Sequence, residues 1–209
     1  MDAEIKTVIL KTAKDVDLHF NDLLKFCLDC VEENSDASYN MEVDRWETKS
    51  TTLLYKLMKT DIFVDNNGIF ILVYRNLEIV AVSGCTKYSD HVCLAGIRSW
   101  ILKKYRMNYI LGKFALPLQK KWAFLKGFSY FILSFNEYNK RLFEVATRTG
   151  RYDNKFLKVS LGSKRADFWS SITALSSDKY IINNTQQYVA FTQLSYCDCP
   201  LEKLLPKVI

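Results

Sequence analysis

The chain has 209 residues, of which 49% are hydrophobic, 14% aromatic and 25% charged with both signs intermixed, the size and composition of one globular domain with a large aromatic core. Seven glycines and three prolines exclude a collagen-like or low-complexity chain, and the longest apolar runs, Ile69 to Tyr74 and Tyr130 to Phe135, fall far below the roughly 18 residues a membrane span needs. The net charge is +6 and the N-terminus lacks the charged-then-apolar design of a secretory signal, so the expectation is a soluble cytoplasmic protein without a membrane partner.

In chain order, Asp17 to Glu33 places Leu18, Leu23, Leu24, Cys27, Leu28 and Val31 at helical spacing and is predicted as an amphipathic helix. Lys49 to Lys59 is predicted as a second, shorter helix. The period then changes. Gly68 to Arg75 and Leu77 to Cys85 are β-rich runs meeting at Asn76, which predicts a hairpin. Val92 to Leu102 is a long strand, Leu116 to Lys126 a helix starting near Pro117, Phe128 to Phe135 a strand and Glu137 to Arg148 a helix. Lys155 to Leu161 and Tyr188 to Leu194 are two further strands. The order ααβββαβαββ is α/β with a mixed sheet, and no Pro, Gly or Ser linker divides residues 1–209. Lys164 to Asp178 is an added helix or loop. Residues 195–209 form a tail that packs or mediates self-association, which leaves a homodimer open.

The six cysteines are too sparse for a disulfide scaffold. Cys27 and Cys30 share a helical pattern, and no second pair of ligands completes a zinc set, so they and Cys85 and Cys93 are assigned as thiols. Cys197 and Cys199 offer only two ligands from one short segment, and no metal is assigned.

Charge placement is more informative. Between Asp90 and Glu137 lie 46 residues without an acid, carrying Arg98, Lys103, Lys104, Arg106, Lys113, Lys120, Lys121 and Lys126, a local +8 against −2 for the rest. A run this one-sided points to an anionic ligand, either a phosphorylated cofactor or a nucleic acid, with a ligand-free solvated face as the plain alternative.

Two stretches resemble one family. Ile101-Leu102-Lys103-Lys104-Tyr105-Arg106 is similar to the strand end written V-x-P-x-Y-R, and Asn136, Leu142, Phe143 and Glu144 stand where N-x-x-x-x-x-L-Y-E is usual. These are anchors of the GNAT superfamily of N-acyltransferases, and the element order is that family's, best matched from about Ile69 to Gly150. The resemblance implies a mixed, mostly antiparallel central sheet with splayed fourth and fifth strands, flanked by helices. It also implies acyl transfer from acetyl-coenzyme A or another acyl-coenzyme A to an amine acceptor. A loop opening a helix offers backbone N–H groups and a positive dipole end to the coenzyme's phosphates. By the resemblance, Arg106, Tyr109, Leu111, Gly112, Lys113 and Asn136 bind the cofactor. The pantetheine arm pairs near Ile101 and Leu102, and a backbone N–H stabilises the oxyanion.

The sequence also departs from the family. Its phosphate loop, R/Q-x-x-G-x-G/A, would put glycines at Tyr109 and Leu111, with Gly112 one place late. The Tyr that commonly protonates the thiolate is Phe143, and Arg98 stands about where a Glu or Asp base is common. Candidate replacements are Tyr138 as acid and Glu78, Asp90 or His91 as base, imidazole being the side chain suited to proton transfer near neutrality. Arg98 and Trp100, on one sheet face, are candidates for binding the acceptor, the Arg through bidentate contact with a phosphate or carboxylate. The alternatives are a protein of the same fold that binds or modifies nucleic acid, as phage-type members do with DNA bases, or an interaction protein without catalysis.

Overall fold

Six residues near the N-terminus that the periodicity left unassigned form a strand, β1 (Ile5–Leu10), whose existence depends on a partner about sixty-five positions away, as the strand registers show. The structure, a computed structural model, describes residues 4–34, 67–136, 144, 153–160 and 186–205. After β1 come α1 (Ala13–Leu18), α2 (Phe20–Asn34), β2 (Gly68–Arg75), β3 (Glu78–Lys87) and β4 (Val92–Ile101). A 3-10 turn (Lys103–Asn108) and a π turn (Leu111–Ala115) lead into α3 (Leu116–Leu125), followed by β5 (Tyr130–Asn136), β6 (Asp153–Ser160), β7 (Gln186–Gln193) and a short α4 (Leu201–Leu204). The seven strands form an open sheet of order β1-β2-β3-β4-β5-β7-β6. The pairs β1–β2, β2–β3, β5–β7 and β6–β7 are antiparallel, and helices flank the sheet, which is the expected α/β class.

Contacts divide the chain into two compact units that share β4: Met1–Lys87 with Ala95–Leu125, and Tyr88–Leu94 with Lys126–Ile209. In the first, the expected hairpin is present. Asn76 makes its turn with φ 57, a left-handed conformation that Asn tolerates better than most residues. Residues 68–74 of β2 and 79–85 of β3 are buried without alternation, as in strands covered on both faces. Leu10, Val16, Leu23 and Phe26 join that core. The single helix predicted from Asp17 to Glu33 is instead two helices broken at His19. Thr12 caps α1 in a capping box with Asp15, and the His19 N–H turns back to the Val16 carbonyl.

In the second unit the Ser129 and Tyr130 N–H groups both donate to the His91 carbonyl (3.0 and 2.9 Å). Val92, Cys93, Phe131, Ile132, Val189 and Ala190 form its core. The described part of the tail packs there: Leu201 and Leu205 are buried, and the Tyr130 hydroxyl donates to the Cys199 carbonyl. Cys30, Cys85 and Cys93 are buried. No described helix is long and apolar enough to cross a membrane. The helix predicted at Lys49 to Lys59 and the segment Lys164 to Asp178 lie outside the described residues. Of the helix at Glu137 to Arg148 only Glu144 is described, and it is helical.

Candidate functional site

The cationic stretch begins where β4 ends. Leu102 is buried, and its N–H donates to the Val80 carbonyl on β3 (3.0 Å), which fixes the strand end. The chain then coils at once, because the Tyr105 N–H reaches back to the Leu102 carbonyl (2.8 Å) and starts the 3-10 turn. Arg106, on that turn, folds back over the strand. Its Nε–H donates to the Ile101 carbonyl (3.1 Å), and its guanidinium lies 5.3 Å from the centre of the Trp100 ring. Tyr105 is framed by two cations, Arg75 at 5.3 Å and Lys104 at 5.0 Å from its ring centre.

Tyr109 closes the 3-10 turn in the left-handed conformation, φ 50, with its side chain 61% exposed. This is one of the two places where the family pattern would put a glycine, so the backbone keeps a glycine-like geometry with a tyrosine in it. The stretch carrying Arg106, Tyr109, Leu111, Gly112 and Lys113, which the resemblance implies to be a loop opening a helix, is helical for most of its length. The π turn that follows carries Leu111, Gly112 and Lys113, and the Leu116 N–H donates to the Leu111 carbonyl, five residues back. Pro117 accounts for the wide turn. It has no N–H for the Lys113 carbonyl, and its ring would crowd that carbonyl in a regular α-helix. Lys103, Lys104, Arg106 and Lys113 are exposed.

Of the proposed bases, Glu78 pairs with Lys104 (3.2 Å). That hydrogen bond holds the Lys104 ammonium above its usual range. His91 belongs to the second unit, exposed, with Nδ1 3.5 Å from the Ser129 hydroxyl, too long for a strong bond. Asn136 is the last residue of β5. The Arg98 side chain, Tyr138 and Phe143 lie outside the described residues. The structure thus gathers Trp100, Ile101, Leu102, Arg106, Tyr109, Leu111, Gly112 and Lys113 on one continuous strand, turn and helix of the first unit, with Glu78 joined through Lys104.

Sequence reasoning missed a buried polar group on the same helix. Gln119 is fully buried on α3, between Ala115 and Ala123 at helical spacing. A glutamine in that apolar stripe was a readable signal, since a buried amide needs partners.

No family model and no curated protein matches the chain. Solved structures do. An N-acetyltransferase from Staphylococcus aureus Mu50 is 16% identical and superposes with a TM-score of 0.54 over 92% of this chain and 99% of its own. An acetyltransferase from Streptococcus agalactiae is 15% identical, with a TM-score of 0.51 over 92% and 99%. An acetyltransferase of the GNAT family from Streptococcus pneumoniae is 17% identical, with a TM-score of 0.51 over 91% and 100%. The chain has the fold of the GNAT acetyltransferases.

Proposed function

We propose that this chain is an acyl-coenzyme A-dependent N-acyltransferase of GNAT type. The observation that carries the reading is the run from Trp100 to Lys113, in which a β4 end, a cationic 3-10 turn and a helix-opening π turn follow one another in a fold shared with acetyltransferases. In this reading Arg106 and Lys113 meet the coenzyme's phosphates together with backbone N–H groups of the turn. The pantetheine arm lies along the strand end near Ile101 and Leu102, whose polar groups are already ordered by Arg106 and Val80. Tyr109, Leu111 and Gly112 supply the remaining cofactor contacts on this stretch and Trp100 borders the acceptor, while Asn136 as a cofactor residue and Arg98 as an acceptor residue rest on the family resemblance alone.

The reaction joins the acceptor nitrogen to the thioester carbonyl carbon. The tetrahedral oxyanion then collapses, the carbon–sulfur bond breaks and the thiolate leaves. Placing the two reactants accounts for most of the rate in this reading; Tyr138 is the candidate acid, and Asp90 and His91 are the candidate bases left once Glu78 is tied to Lys104. Isothermal titration with acetyl-coenzyme A tests it. Heat of binding is expected, and Arg106→Ala should weaken affinity by about tenfold, the scale of one charge-assisted hydrogen bond. No heat from the wild type at millimolar ligand rejects the cofactor.

A second reading is supported by the number of cations. Lys120 and Lys121 on α3 and Lys126 after it lie beyond the turn, are at least partly exposed, and exceed what the phosphates of one coenzyme need. It makes the acceptor a nucleic acid, and a gel shift at low salt tests it.

A further inference from the structure

Within β4, Gly96 has φ 68, in the left-handed region that glycine adopts without strain. Both of its backbone polar groups are taken by side chains. Its N–H donates to Gln119 Oε1 on α3 (3.2 Å), and its carbonyl accepts from the Ser99 hydroxyl (2.7 Å). Gln119 Nε2 donates in turn to the Ser83 hydroxyl on β3 (2.8 Å), and the Ser83 and Ser99 oxygens are 2.6 Å apart. Ser83 and Gln119 are 0% exposed.

The number of protons sets the direction of the bonds. Ser99 has one hydroxyl proton, and the Gly96 carbonyl takes it, so Ser83 is the donor between the two serines. Ser83 accepts from Gln119, and the Gln119 amide cannot be reversed, because Nε2 would then face the Gly96 N–H. The bonds form a closed circuit in which every member donates to the next, from the Gly96 N–H through Gln119, Ser83 and Ser99 back to the Gly96 carbonyl. A head-to-tail circuit of this kind reinforces itself in a buried setting, and removing one member leaves the others unsatisfied.

We propose that Gln119, Ser83 and Ser99 are positioning residues that lock the left-handed backbone of Gly96 in β4. They set the direction of the peptide groups after Gly96 for the thioester arm and tie them to α3, the helix behind the phosphate turn. Because the peptide is planar and trans, fixing the Gly96 carbonyl also fixes the opposite direction of the Ile97 N–H. Apolar side chains at these three places would fill the space without burying polar groups. The polar set serves the conformation of one glycine, in the strand that ends at the phosphate turn. The inference rests on the acyl-coenzyme A reading.

The test compares wild type, Ser99→Ala, Ser99→Thr and Gln119→Met in two measurements. Amide hydrogen exchange at Gly96, read by NMR without ligand, reports the circuit itself. Titration with coenzyme A and with adenosine 3′,5′-bisphosphate, which lacks the pantetheine arm, reports its consequence. Ser99→Ala and Gln119→Met are expected to speed Gly96 exchange and to weaken coenzyme A by about three- to tenfold, the scale of one hydrogen bond, with the bisphosphate nearly unchanged. Ser99→Thr, which keeps the hydroxyl, should restore both. Unchanged Gly96 exchange in the variants overturns the circuit. Faster exchange with unchanged coenzyme A affinity, or equal weakening of both ligands, overturns the positioning role. A wild type that binds neither ligand rejects the acyl-coenzyme A reading and the positioning role with it, while Gly96 exchange still judges the circuit.

Discussion

Tyr109 holds a backbone conformation that costs an L-residue with a β-carbon about 1–2 kcal/mol, and its mostly exposed ring recovers little of that by packing. Asn tolerates the left-handed region, so Tyr109→Asn should stabilise the fold by roughly 0.5 kcal/mol, whereas the β-branched Tyr109→Ile should destabilise it by about 1 kcal/mol. Urea melts of the three proteins read both signs, and destabilisation by Asn would show that the tyrosine ring holds the turn. Tyr74 makes a different kind of contact. Its hydroxyl donates to Asp22 Oδ2 (2.8 Å) and lies 3.0 Å from His19 Nδ1, joining β2 to the break between α1 and α2. Burial, and after it the hydrogen bond to Asp22 and that residue's charge, push the phenol well above its ordinary 10.0. A raised phenol stabilises the fold fully below the unfolded value, and the contribution fades as pH climbs through the interval above it. Tyr74→Phe should therefore cost about 1 kcal/mol near neutrality, and the wild type should lose that advantage above about pH 10. An equal difference at every pH in thermal melts would contradict the assignment.

At the scale of elements, the parts legible in the sequence were those whose cause is local. The β2–β3 hairpin was readable because two β-rich runs meet at Asn76, and α3 because Pro117 marks its first turn. The strand β1 was not, since its pairing from Ile5 opposite Arg75 to Leu10 opposite Phe70 is long-range and lies on a sheet edge. The break at His19 was hidden for a similar reason. Periodicity continues through it, while the ring's partner, Tyr74, is supplied by tertiary structure. The start of α1, by contrast, is set locally: Thr12 Oγ1 accepts from the Asp15 N–H, and the Asp15 carboxylate accepts from the Thr12 and Lys11 N–H groups. Thr12→Ala should cost about 1 kcal/mol and Thr12→Ser much less, which chemical denaturation measures. Equal destabilisation by the two would assign the effect to packing of the Thr methyl rather than to the cap. In the candidate site, the Trp100 to Lys113 stretch was legible from its charge and its resemblance. The Gly96 circuit was not, because its four members come from three elements and only Gln119, between Ala115 and Ala123, breaks a local pattern.

For the whole molecule, the element order was enough to reach the α/β class, and at 15 to 17% identity to the acetyltransferases compared above it is the fold, more than the residues, that is shared. What the fold does not set is the charge. The 46 acid-free residues carry +8 while the rest sums to −2, so the basic stretch, not the net +6, is the quantity that decides a partner. If it serves only a coenzyme, charge reversal at Lys120 and Lys121 should leave coenzyme A affinity nearly unchanged, since Arg106 and Lys113 are closer in sequence to the turn. If the acceptor is DNA or RNA, the same lysines neutralise backbone phosphates and release counterions. Affinity should then fall with salt by about 0.9 log units per log unit for each phosphate neutralised on a duplex, and Lys120→Glu/Lys121→Glu should flatten that slope by about 0.9 for each phosphate it leaves without a cation. A gel-shift series from low to physiological salt measures the slope directly. No retardation at low salt removes the nucleic-acid acceptor, and retardation with an unaltered slope in the double variant assigns the phosphates to cations other than Lys120 and Lys121.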